Sequence, residues 1–455
     1  MPRREHLLKI GVSGIRGVVG EFLTPALACA FAQAFGTYVR GGRVVVGRDT
    51  RSSGEMLQHA VTCGLLAAGC EVVDTGILPT PTIQIYVGAT RAQGGIAITA
   101  SHNPAEYNAL KLFNAGGLFF NNYERSELID LYHQSDFRQA SNAEIRRVVS
   151  DYHSAVQIHF ERVLAHVDAA RIRARKFRVA LDAVNGAGSL VSPRFLGETL
   201  GCQLAAISVD PTQPFPREAE PRAEVLGDLV DLVRRSKSEI GFAQDPDGDR
   251  LAVVDETGRV LDGDDVLALA VDAALRRLPG DVVVNLTTSS VIDDVAAAHG
   301  RRVWRTPVGE ANVVETMQSV NAAIGGEGSN GGVIFPAVHL CRDSYTGMAF
   351  LLDRMAETGE TVSTLAGRLP RYFRRLGKVS FEHGRLGGLM QDLETQFPRA
   401  ETDRSDGLKL MLPGGWIHVR ASNTEPLLRV AVEARSPQEV EDLYNAVLRL
   451  FGKSE

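Results

Sequence analysis

Residues 43–54 read RVVVGRDTRSSG, an apolar run that enters a loop rich in glycine, serine and charged side chains. A helical stretch follows up to Gly69, and a second apolar run, EVV, begins at Glu71. This order of strand, polar loop, helix and strand is typical of two parallel strands joined by a helix. The stretch therefore predicts a parallel sheet with both faces covered by helices.

The same unit recurs twice further along the chain. RVAL at 178–181 is followed by DAVNGAGS, a helix to Gly201 and a strand from Gln203. DVVV at 281–284 is followed by NLTTSS, a helix to Gly300 and a strand from Arg302. The copies start about 100 to 135 residues apart, which is too far for a repeat array and suits three similar α/β domains.

The chain after residue 370 has a different pattern. GWIHVR and LLRVAVEAR predict two strands around a loop, followed by a helix that we expect to be capped at Ser436. The predicted fold class is α/β, with three similar α/β domains that have mixed, largely parallel sheets, and a C-terminal α+β domain. The predicted domains span residues 1–150, 151–255, 256–370 and 371–455.

Composition and charge limit the functions that are possible. A chain of 455 residues exceeds what one hydrophobic core supports. Its net charge is −6, from 49 basic and 55 acidic residues without a basic block, so nucleic acid and membranes are poor candidate partners. We find neither a run of about 18 apolar residues nor a secretory signal. Five scattered cysteines without a CxxC pair indicate reduced thiols and a cytoplasmic protein.

The first candidate functional loop follows the predicted strand GGIAITA and reads Ser101-His102-Asn103-Pro104. Sheets of this class bind ligands at the carboxyl ends of their strands. The Asn-Pro pair favours a non-helical turn that holds the serine hydroxyl outside regular structure. Taken alone, the sequence is also typical of a plain polar turn. It lacks the GxSxG elbow of serine hydrolases, so we do not favour a triad nucleophile.

The second loop, DPDGDR at 245–250, lies between the predicted strands IGFAQ and LAVVD. Three carboxylates at alternate positions repel one another unless a hard cation neutralises them. A calcium-binding EF-hand is the chief alternative, but that loop needs glycine where Arg250 stands, and helices on both sides. A solvated acidic turn is the other alternative.

The third loop, GEGSNG at 326–331, formally matches the dinucleotide motif GxGxxG. The next residues, GVIFP, predict a strand, whereas a dinucleotide site needs a helix at this point. Glu327 between two glycines instead suits a carboxylate presented to ligand hydroxyls. A plain glycine turn is nearly as good an interpretation.

The fourth loop, RASNTEP at 420–426, is followed closely by Arg429. Hydroxyls, backbone N–H groups and a forked guanidinium suit the three oxygens of a phosphate. A hairpin turn with a surface arginine is the alternative.

Together the four loops resemble those of the α-D-phosphohexomutase superfamily, which includes phosphomannomutase, phosphoglucomutase and phosphoglucosamine mutase. The resemblance covers the whole chain, and TASHNP with DPDGDR is a specific pair. GVSGIRG and GRDTRSSG also resemble family segments. The resemblance implies a phosphoryl transfer between C1 and C6 of a hexose phosphate. A hexose 1,6-bisphosphate would be its intermediate and activator.

The resemblance also implies a role for each loop. Ser101 would carry the phosphoryl group, and an oxygen of that phosphate would bind Mg²⁺ together with Asp245, Asp247 and Asp249. The residues expected around the reaction centre are Arg16, His102, Lys111 and Arg250. Those expected at the sugar are Glu327 and Ser329. Those expected to cradle the distal phosphate are Arg420, Ser422, Asn423, Thr424 and Arg429.

This chemistry fits the residue types. Phosphoryl transfer needs alignment and neutralisation of negative charge, which Mg²⁺ and the cationic side chains can supply. The bisphosphate must turn end for end before its other phosphate returns to Ser101. We therefore expect a distal site that binds phosphate with few contacts to the sugar ring.

One departure from the family leaves the general base open. Several members have a histidine at the end of the sugar loop, where this chain reads Asn330-Gly331-Gly332. The local candidates are His102 in its neutral form, and Lys111 if its pKa is depressed.

Two other functions are less compatible with these residues. A non-catalytic phosphosugar-binding protein would lose Ser101 or the aspartates, and a nucleotide-dependent kinase would need a P-loop, which is absent. The sequence leaves open whether glucose, mannose or glucosamine phosphate is preferred, and whether the protein is a monomer or a homodimer.

Overall fold

A computed structural model describes residues 9–11, 14–328, 331–380, 386–421 and 427–451. Four β-sheets follow one another along the chain, and we name the domains I to IV after them. The first three are mixed α/β sheets and the fourth is antiparallel with two helices, so the predicted fold class is confirmed. Among the helices in the described ranges, none is long and apolar enough to cross a bilayer.

Domain I contains seven strands and four helices. The strands are β1 (Lys9–Gly11), β2 (Gly14–Val18), β3 (Arg43–Arg48), β4 (Glu71–Ile77), β5 (Gly94–Ile98), β6 (Tyr107–Phe113) and β7 (Val148–Ser150). The helices are α1 (Pro25–Tyr38), α2 (Gly54–Ala67), α3 (Thr80–Thr90) and α4 (Asn122–Gln134). The strand order is β1-β2-β6-β5-β3-β4-β7. Strand β3 is parallel to β4 and β5, as RVVV predicts, while β6 is antiparallel to β2 and β5.

Domain II contains a four-stranded sheet in the order β11-β10-β8-β9. Its strands are β8 (Arg178–Asp182), β9 (Gln203–Ile207), β10 (Ile240–Gln244) and β11 (Leu251–Asp255). Its helices are α5 (Tyr152–Leu164), α6 (Ala169–Arg175), α7 (Gly188–Pro193) and α8 (Gly227–Ser236). Helix α7 continues as the π-helical segment Arg194–Thr199, and a 3₁₀ turn, Ala223–Val225, precedes α8. Strand β8 is parallel to β9 and β10, and β10 is antiparallel to β11.

Domain III contains a five-stranded sheet in the order β13-β12-β14-β15-β16. Its strands are β12 (Val282–Asn285), β13 (Val303–Thr306), β14 (Ile324–Glu327), β15 (Gly332–Phe335) and β16 (His339–Arg342). Its helices are α9 (Gly263–Leu275), α10 (Val291–Ala298), α11 (Glu310–Val320), α12 (Ser344–Thr358) and α13 (Val362–Gly367). Strand β12 is parallel to β13 and β14, and the strand predicted from GVIFP is β15.

Domain IV contains an antiparallel sheet in the order β17-β21-β20-β19-β18. Its strands are β17 (Phe373–Ser380), β18 (Glu401–Asp403), β19 (Leu408–Leu412), β20 (Gly415–Ala421) and β21 (Leu427–Ala434). Its helices are α14 (Leu386–Gln396) and α15 (Pro437–Phe451). The Oγ of Ser436 accepts a hydrogen bond from the backbone N–H of Glu439 at 3.3 Å, so the predicted helix cap is confirmed.

The central strands explain why their sequences are continuously apolar. Val44, Val45 and Val46 of β3 are all fully buried, because helices cover both faces of the sheet. In antiparallel sheets with one solvent-exposed face, apolar and polar residues instead alternate along each strand. The unbroken valine run therefore carried the information that identified the parallel units.

Two kinds of contact hold the domains together. One cluster of buried apolar side chains runs continuously from Val45 in domain I through Phe195 in domain II to Phe350 in domain III. The core of domain IV is a separate cluster. Domain IV contacts domain III through polar groups, including Lys409 Nζ, which donates to the carbonyl oxygen of Leu286 at 2.5 Å.

Candidate active site

The serine loop lies between β5 and β6, and its backbone is strained at Ser101. This residue has φ of +48°, a left-handed conformation that costs a non-glycine residue about 1–3 kcal/mol. Its N–H donates to Thr99 Oγ1 at 3.0 Å. The Arg51 guanidinium, from the GRDTRSSG segment, donates to the carbonyl oxygens of Ser101 and Asn103, both at 2.7 Å. These contacts hold the loop in a shape that presents the serine side chain.

The Ser101 hydroxyl faces the predicted metal loop. It is buried and donates to Asp245 Oδ2 at 2.7 Å, across 144 residues of sequence and from domain I to domain II. Burial and the neighbouring charges of Asp249 and Asp247 raise the pKa of Asp245 well above its ordinary value. A carboxyl group so desolvated needs a compensating positive charge or a proton.

The three aspartates form a compact cluster after β10. Asp245, Asp247 and Asp249 are all buried, and one oxygen of each lies within 4.8 Å of the others. Gly248 between them has φ of +66°, which glycine adopts without strain. Asp247 Oδ1 and Asp249 Oδ1 have no hydrogen-bond partner among the described residues. Buried carboxylates this close together, two of them with an oxygen that lacks a hydrogen-bond partner among the described residues, suit a hard divalent cation, so the residues fit a metal.

Domain I contributes a cation and a further hydroxyl to this cluster. Lys111 Nζ on β6 lies 2.5 Å from Asp247 Oδ2 and 3.6 Å from Asp249 Oδ2. Thr80 Oγ1 at the start of α3 donates to Asp247 Oδ2 at 2.6 Å. Burial would raise the pKa of Asp247, but Lys111 and these hydrogen bonds lower it.

Lys111 could act as the base only if its pKa were depressed, and in the structure its pKa is raised. Burial alone would lower the pKa of Lys111, but the charges of Asp247 and Asp249 outweigh it and the pKa is raised. Lys111 is therefore an ammonium ion that neutralises charge. His102 is different, since burial and the charges of Arg250, Arg16 and Arg342 lower its pKa to about 2 and keep it neutral.

Two arginines, Arg16 and Arg250, line the same cavity as Ser101. Arg16 on β2 donates to Asn103 Oδ1 at 2.6 Å, and burial lowers the pKa of its guanidinium. Arg250 forms an ion pair with Glu220 and places its backbone N–H 3.2 Å from Asp245 Oδ1. Both belong to the wall of one cavity.

This cavity has a volume of about 290 Å³. Six predicted site residues line it: Arg16, Ser101, His102, Lys111, Arg250 and Glu327. Phe119, Gly309, Glu310, Ala311 and Arg342 complete the lining. Loops that are far apart in sequence thus meet around one space that can hold a small polar ligand.

The sugar loop presents Glu327 at the end of β14, in a buried position. Its Oε1 accepts from Asn285 Nδ2 at 3.0 Å and from the Gly309 N–H at 3.1 Å, and its Oε2 lies 3.2 Å from Arg342. A carboxylate offers about four acceptor positions, so roughly one remains for a ligand hydroxyl. Glycine is needed next to it, because a Cβ on Gly328 would lie 1.7 Å from Asp264 Oδ1.

Arg342 and Glu310 are two residues of the cavity lining that the sequence did not predict. Arg342 ends β16 and Glu310 begins α11, and both line the cavity. Burial raises the pKa of Glu310 to about 7 against the opposing charge of Arg342. Neither residue belongs to a glycine-rich or acidic loop, so the sequence carries no local pattern that distinguishes them from other charged residues.

The predicted phosphate cradle lies on domain IV, outside the cavity lining. Arg420 on β20 is directly opposite Arg429 on β21, which is directly opposite Lys378 on β17. Directly opposite residues share a face, so three cationic residues lie side by side on this face. Asp406 lies 3.8 Å from Arg420. The predicted residues Ser329, Ser422, Asn423 and Thr424 lie outside the described residues.

The other end of this face contacts domain III, where Glu433 Oε1 accepts from the Ser290 N–H at 2.8 Å. Lys378, Arg429 and Arg420 lie side by side, so this part of the face carries the positive charge expected of an anion-binding surface.

Comparisons with known proteins agree with this architecture. Four family models match in order. They describe phosphoglucomutase/phosphomannomutase α/β/α domain I at residues 7–139, domain II at 157–258, domain III at 262–373 and the C-terminal domain at 385–450.

Relatives and solved structures match over nearly the whole chain. A phosphoglucomutase/phosphomannomutase of Thermococcus kodakarensis is 38% identical over 449 residues, covering 97% of this chain and 98% of the relative. A probable phosphoglucosamine mutase of Methanopyrus kandleri is 38% identical and covers 95% of each. The crystal structure of a phosphoglucomutase/phosphomannomutase family protein of Burkholderia thailandensis has a TM-score of 0.83 at 26% identity, covering 98% of this chain and 100% of that one. This chain therefore belongs to the phosphoglucomutase/phosphomannomutase family of the α-D-phosphohexomutase superfamily.

Proposed function

We propose that this phosphohexomutase interconverts hexose 1-phosphate and hexose 6-phosphate through a phosphoryl group carried on Ser101. The observation that carries the proposal is the buried Ser101 hydroxyl, 2.7 Å from Asp245 in a cluster of three aspartates. Two of these aspartates, Asp247 and Asp249, have an oxygen without a hydrogen-bond partner among the described residues. The phosphate-binding roles of Arg420 and Arg429 belong to the same proposal. The non-catalytic alternative finds no support, because the relatives are named as mutases.

We further propose that Mg²⁺ is the cation of the aspartate cluster. Asp245, Asp247 and Asp249 would hold it, together with an oxygen of phosphorylated Ser101. Carboxylate oxygens suit Mg²⁺ better than they suit a softer metal. When bound, the ion would neutralise charge on the transferring phosphoryl group.

The side chains around the cavity supply the rest of the chemistry. Arg16, Lys111 and Arg250 offset the negative charge that spreads over the phosphoryl oxygens. In the first half-reaction the bond from phosphorus to Ser101 Oγ breaks and a bond from phosphorus to the sugar hydroxyl oxygen forms. The sugar hydroxyl loses its proton, and Ser101 Oγ takes up a proton and becomes a hydroxyl again. His102 is neutral and is the remaining local candidate for the proton acceptor, and the burial and arginines that lower its pKa also make it a weak base. The second half-reaction returns the other phosphoryl group of the hexose 1,6-bisphosphate to Ser101.

Conversion of hexose 1-phosphates followed by ³¹P NMR tests this function. Glucose, mannose and glucosamine 1-phosphate should be incubated in parallel with the protein, Mg²⁺ and a trace of glucose 1,6-bisphosphate. At least one should convert to its 6-phosphate, and the relative rates would establish the sugar preference. If none converts while the protein is folded and phosphorylated, the proposed reaction is wrong.

Replacing Arg420 with alanine should weaken binding of every phosphosugar to a similar degree. Arg420 lies in the row with Arg429 and Lys378, and it does not line the cavity that Glu327 lines. Losing one charged partner of a phosphate costs on the order of 2–5 kcal/mol. KM and kcat for two sugar phosphates measure this effect. Arg435→Ala is the matched control, because Arg435 is a half-exposed arginine of domain IV paired with Asp294. A changed sugar preference at unchanged affinity would show that Arg420 contacts the ring.

Replacing Glu327 with alanine should lower kcat/KM for glucose and mannose phosphates alike. We propose that Glu327 contacts the O3 and O4 edge of the sugar, which is configured identically in these two hexoses. In the structure the Glu327 carboxylate has about one acceptor position free, which supports one strong hydrogen bond from a sugar hydroxyl. A second such bond would require Arg342 to release Glu327 Oε2. The loss should be about tenfold or more, since a charge-assisted hydrogen bond is worth about 1.5–3 kcal/mol. Glu327→Gln keeps an acceptor and should lose less. An effect confined to one sugar would mean that Glu327 distinguishes the configuration at C2.

A further inference from the structure

We propose that Arg342 is a positioning residue that fixes Asp249 for cation binding and ties the metal loop to the sugar loop. The inference rests on the proposed use of the aspartate cluster as a cation site. It assigns a function to a residue that no loop motif contains. Its test measures cation binding without sugar, so it is independent of the mutase reaction.

Arg342 lies where the two loops meet. Its side chain is only 11% exposed and reaches three carboxylates from three different segments. The distances are 2.7 Å to Asp249 Oδ2, 2.9 Å to Glu310 Oε2 and 3.2 Å to Glu327 Oε2. One guanidinium therefore joins domain II to two segments of domain III, and 93 residues separate it from Asp249 in sequence.

The two oxygens of Asp249 are used differently. Oδ2 is held by Arg342, while Oδ1 is buried and has no hydrogen-bond partner in the described part of the chain. Asp247 follows the same arrangement, because its Oδ2 is held by Lys111 and Thr80 and its Oδ1 is unpaired. Each aspartate is thus fixed through one oxygen by a cation from another domain. Its other oxygen is left available for a cation.

An arginine is suited to this position and a lysine is not. The guanidinium is a rigid plane with five donors, so it can hold several carboxylates in fixed directions at once. An ammonium on a flexible chain supplies the same charge without those directions. Outer contacts that orient metal ligands typically change metal affinity by about 10–100-fold when removed.

Positioning and simple charge make opposite predictions. Arg342 is a cation beside a cation site, so removing it should by charge alone strengthen Mg²⁺ binding. If its main effect is to orient Asp249, removing it should weaken Mg²⁺ binding. The direction of the change therefore separates the two effects.

The experiment is calorimetric titration of the full-length protein with Mg²⁺, without sugar phosphate. It compares the wild type, Arg342→Met, Arg342→Lys and the control Arg354→Met. Arg354 is a close match, since its side chain is 13% exposed and it contacts two carboxylates of domain III, Asp272 and Glu357. Thermal unfolding of each variant is measured first. If Arg342→Met does not fold, Arg342→Lys decides the outcome by the same criterion.

Arg342→Met and Arg342→Lys should each bind Mg²⁺ about tenfold more weakly or worse, while Arg354→Met should bind it as the wild type does. Loss in the lysine variant would show that geometry and not charge is responsible. Unchanged or tighter binding in folded Arg342 variants would overturn the inference. A wild type that binds no Mg²⁺ would instead overturn the proposed metal, and the inference with it.

Discussion

Ser101→Ala should abolish mutase turnover and remove the phosphoryl group from the protein. The alanine variant keeps the backbone but lacks the oxygen that forms the bond to phosphorus. We expect turnover below about 0.1% of the wild type, a barrier increase of roughly 4 kcal/mol or more. Intact-protein mass should show one phosphoryl group on part of the wild-type molecules and none on the variant. Peptide mapping should place it on Ser101.

Two further variants separate chemistry from stability. Ser192 is another buried serine, which hydrogen-bonds Gln244 and Tyr345 outside the cavity lining, so Ser192→Ala should keep its phosphorylation and turnover. Ser101→Gly relieves the left-handed strain at φ +48°, which offsets the entropy cost of glycine. Its melting temperature should match or exceed that of Ser101→Ala, although it is equally inactive. Normal turnover in either Ser101 variant would end the phosphoserine mechanism.

Asp247→Asn should reduce activity to below about 1% of the wild type, which corresponds to a barrier increase of roughly 3 kcal/mol. The substitution removes one of the three negative charges of the cluster, and with it the charge that the cation needs. Calorimetric titration should show that Mg²⁺ binding is lost or weakened. Treatment of the wild type with EDTA should also inactivate it, and added Mg²⁺ should restore activity.

The substitution also leaves the buried Lys111 ammonium without its closest partner. Breaking a buried ion pair from one side costs about 3–5 kcal/mol of stability, so folding must be measured beside activity. Asp255→Asn is the matched control, because Asp255 is equally buried in the same domain, and among the described residues its carboxylate accepts only from the nearby Thr257 and Arg259. It should stay active. Full activity of folded Asp247→Asn, or of the EDTA-treated wild type, would contradict the assignment of the cluster as a metal site.

The parts of the site that the sequence predicted share a common property. TASHNP and DPDGDR are short, contiguous and of unusual composition, and each follows a strand that its apolar residues identify. Local sequence determines both the strand and the turn, so the loops at the strand ends could be located. Their meeting at one cavity agrees with the expectation that ligands bind at the carboxyl ends of strands.

The sequence did not predict which residue acts as the general base. Whether Lys111 or His102 can accept a proton depends on charges contributed by other domains. Asp247 and Asp249 raise the pKa of Lys111, and burial with three arginines lowers that of His102. Those surroundings are absent from the local sequence. The domain boundaries at 150, 255 and 370 stay predictions.

The sequence by itself determined the α/β class, the three strand–helix–strand units, the C-terminal α+β domain and the loops that carry Ser101 and the aspartates. It could do so because strand burial and turn chemistry act over a few residues. Only the tertiary structure decided that Arg342 joins Asp249 to Glu327, and that Lys378 lies in a row with Arg429 and Arg420. Those contacts depend on sheet register and domain packing, and a single charged residue on a strand has no local pattern that reveals them.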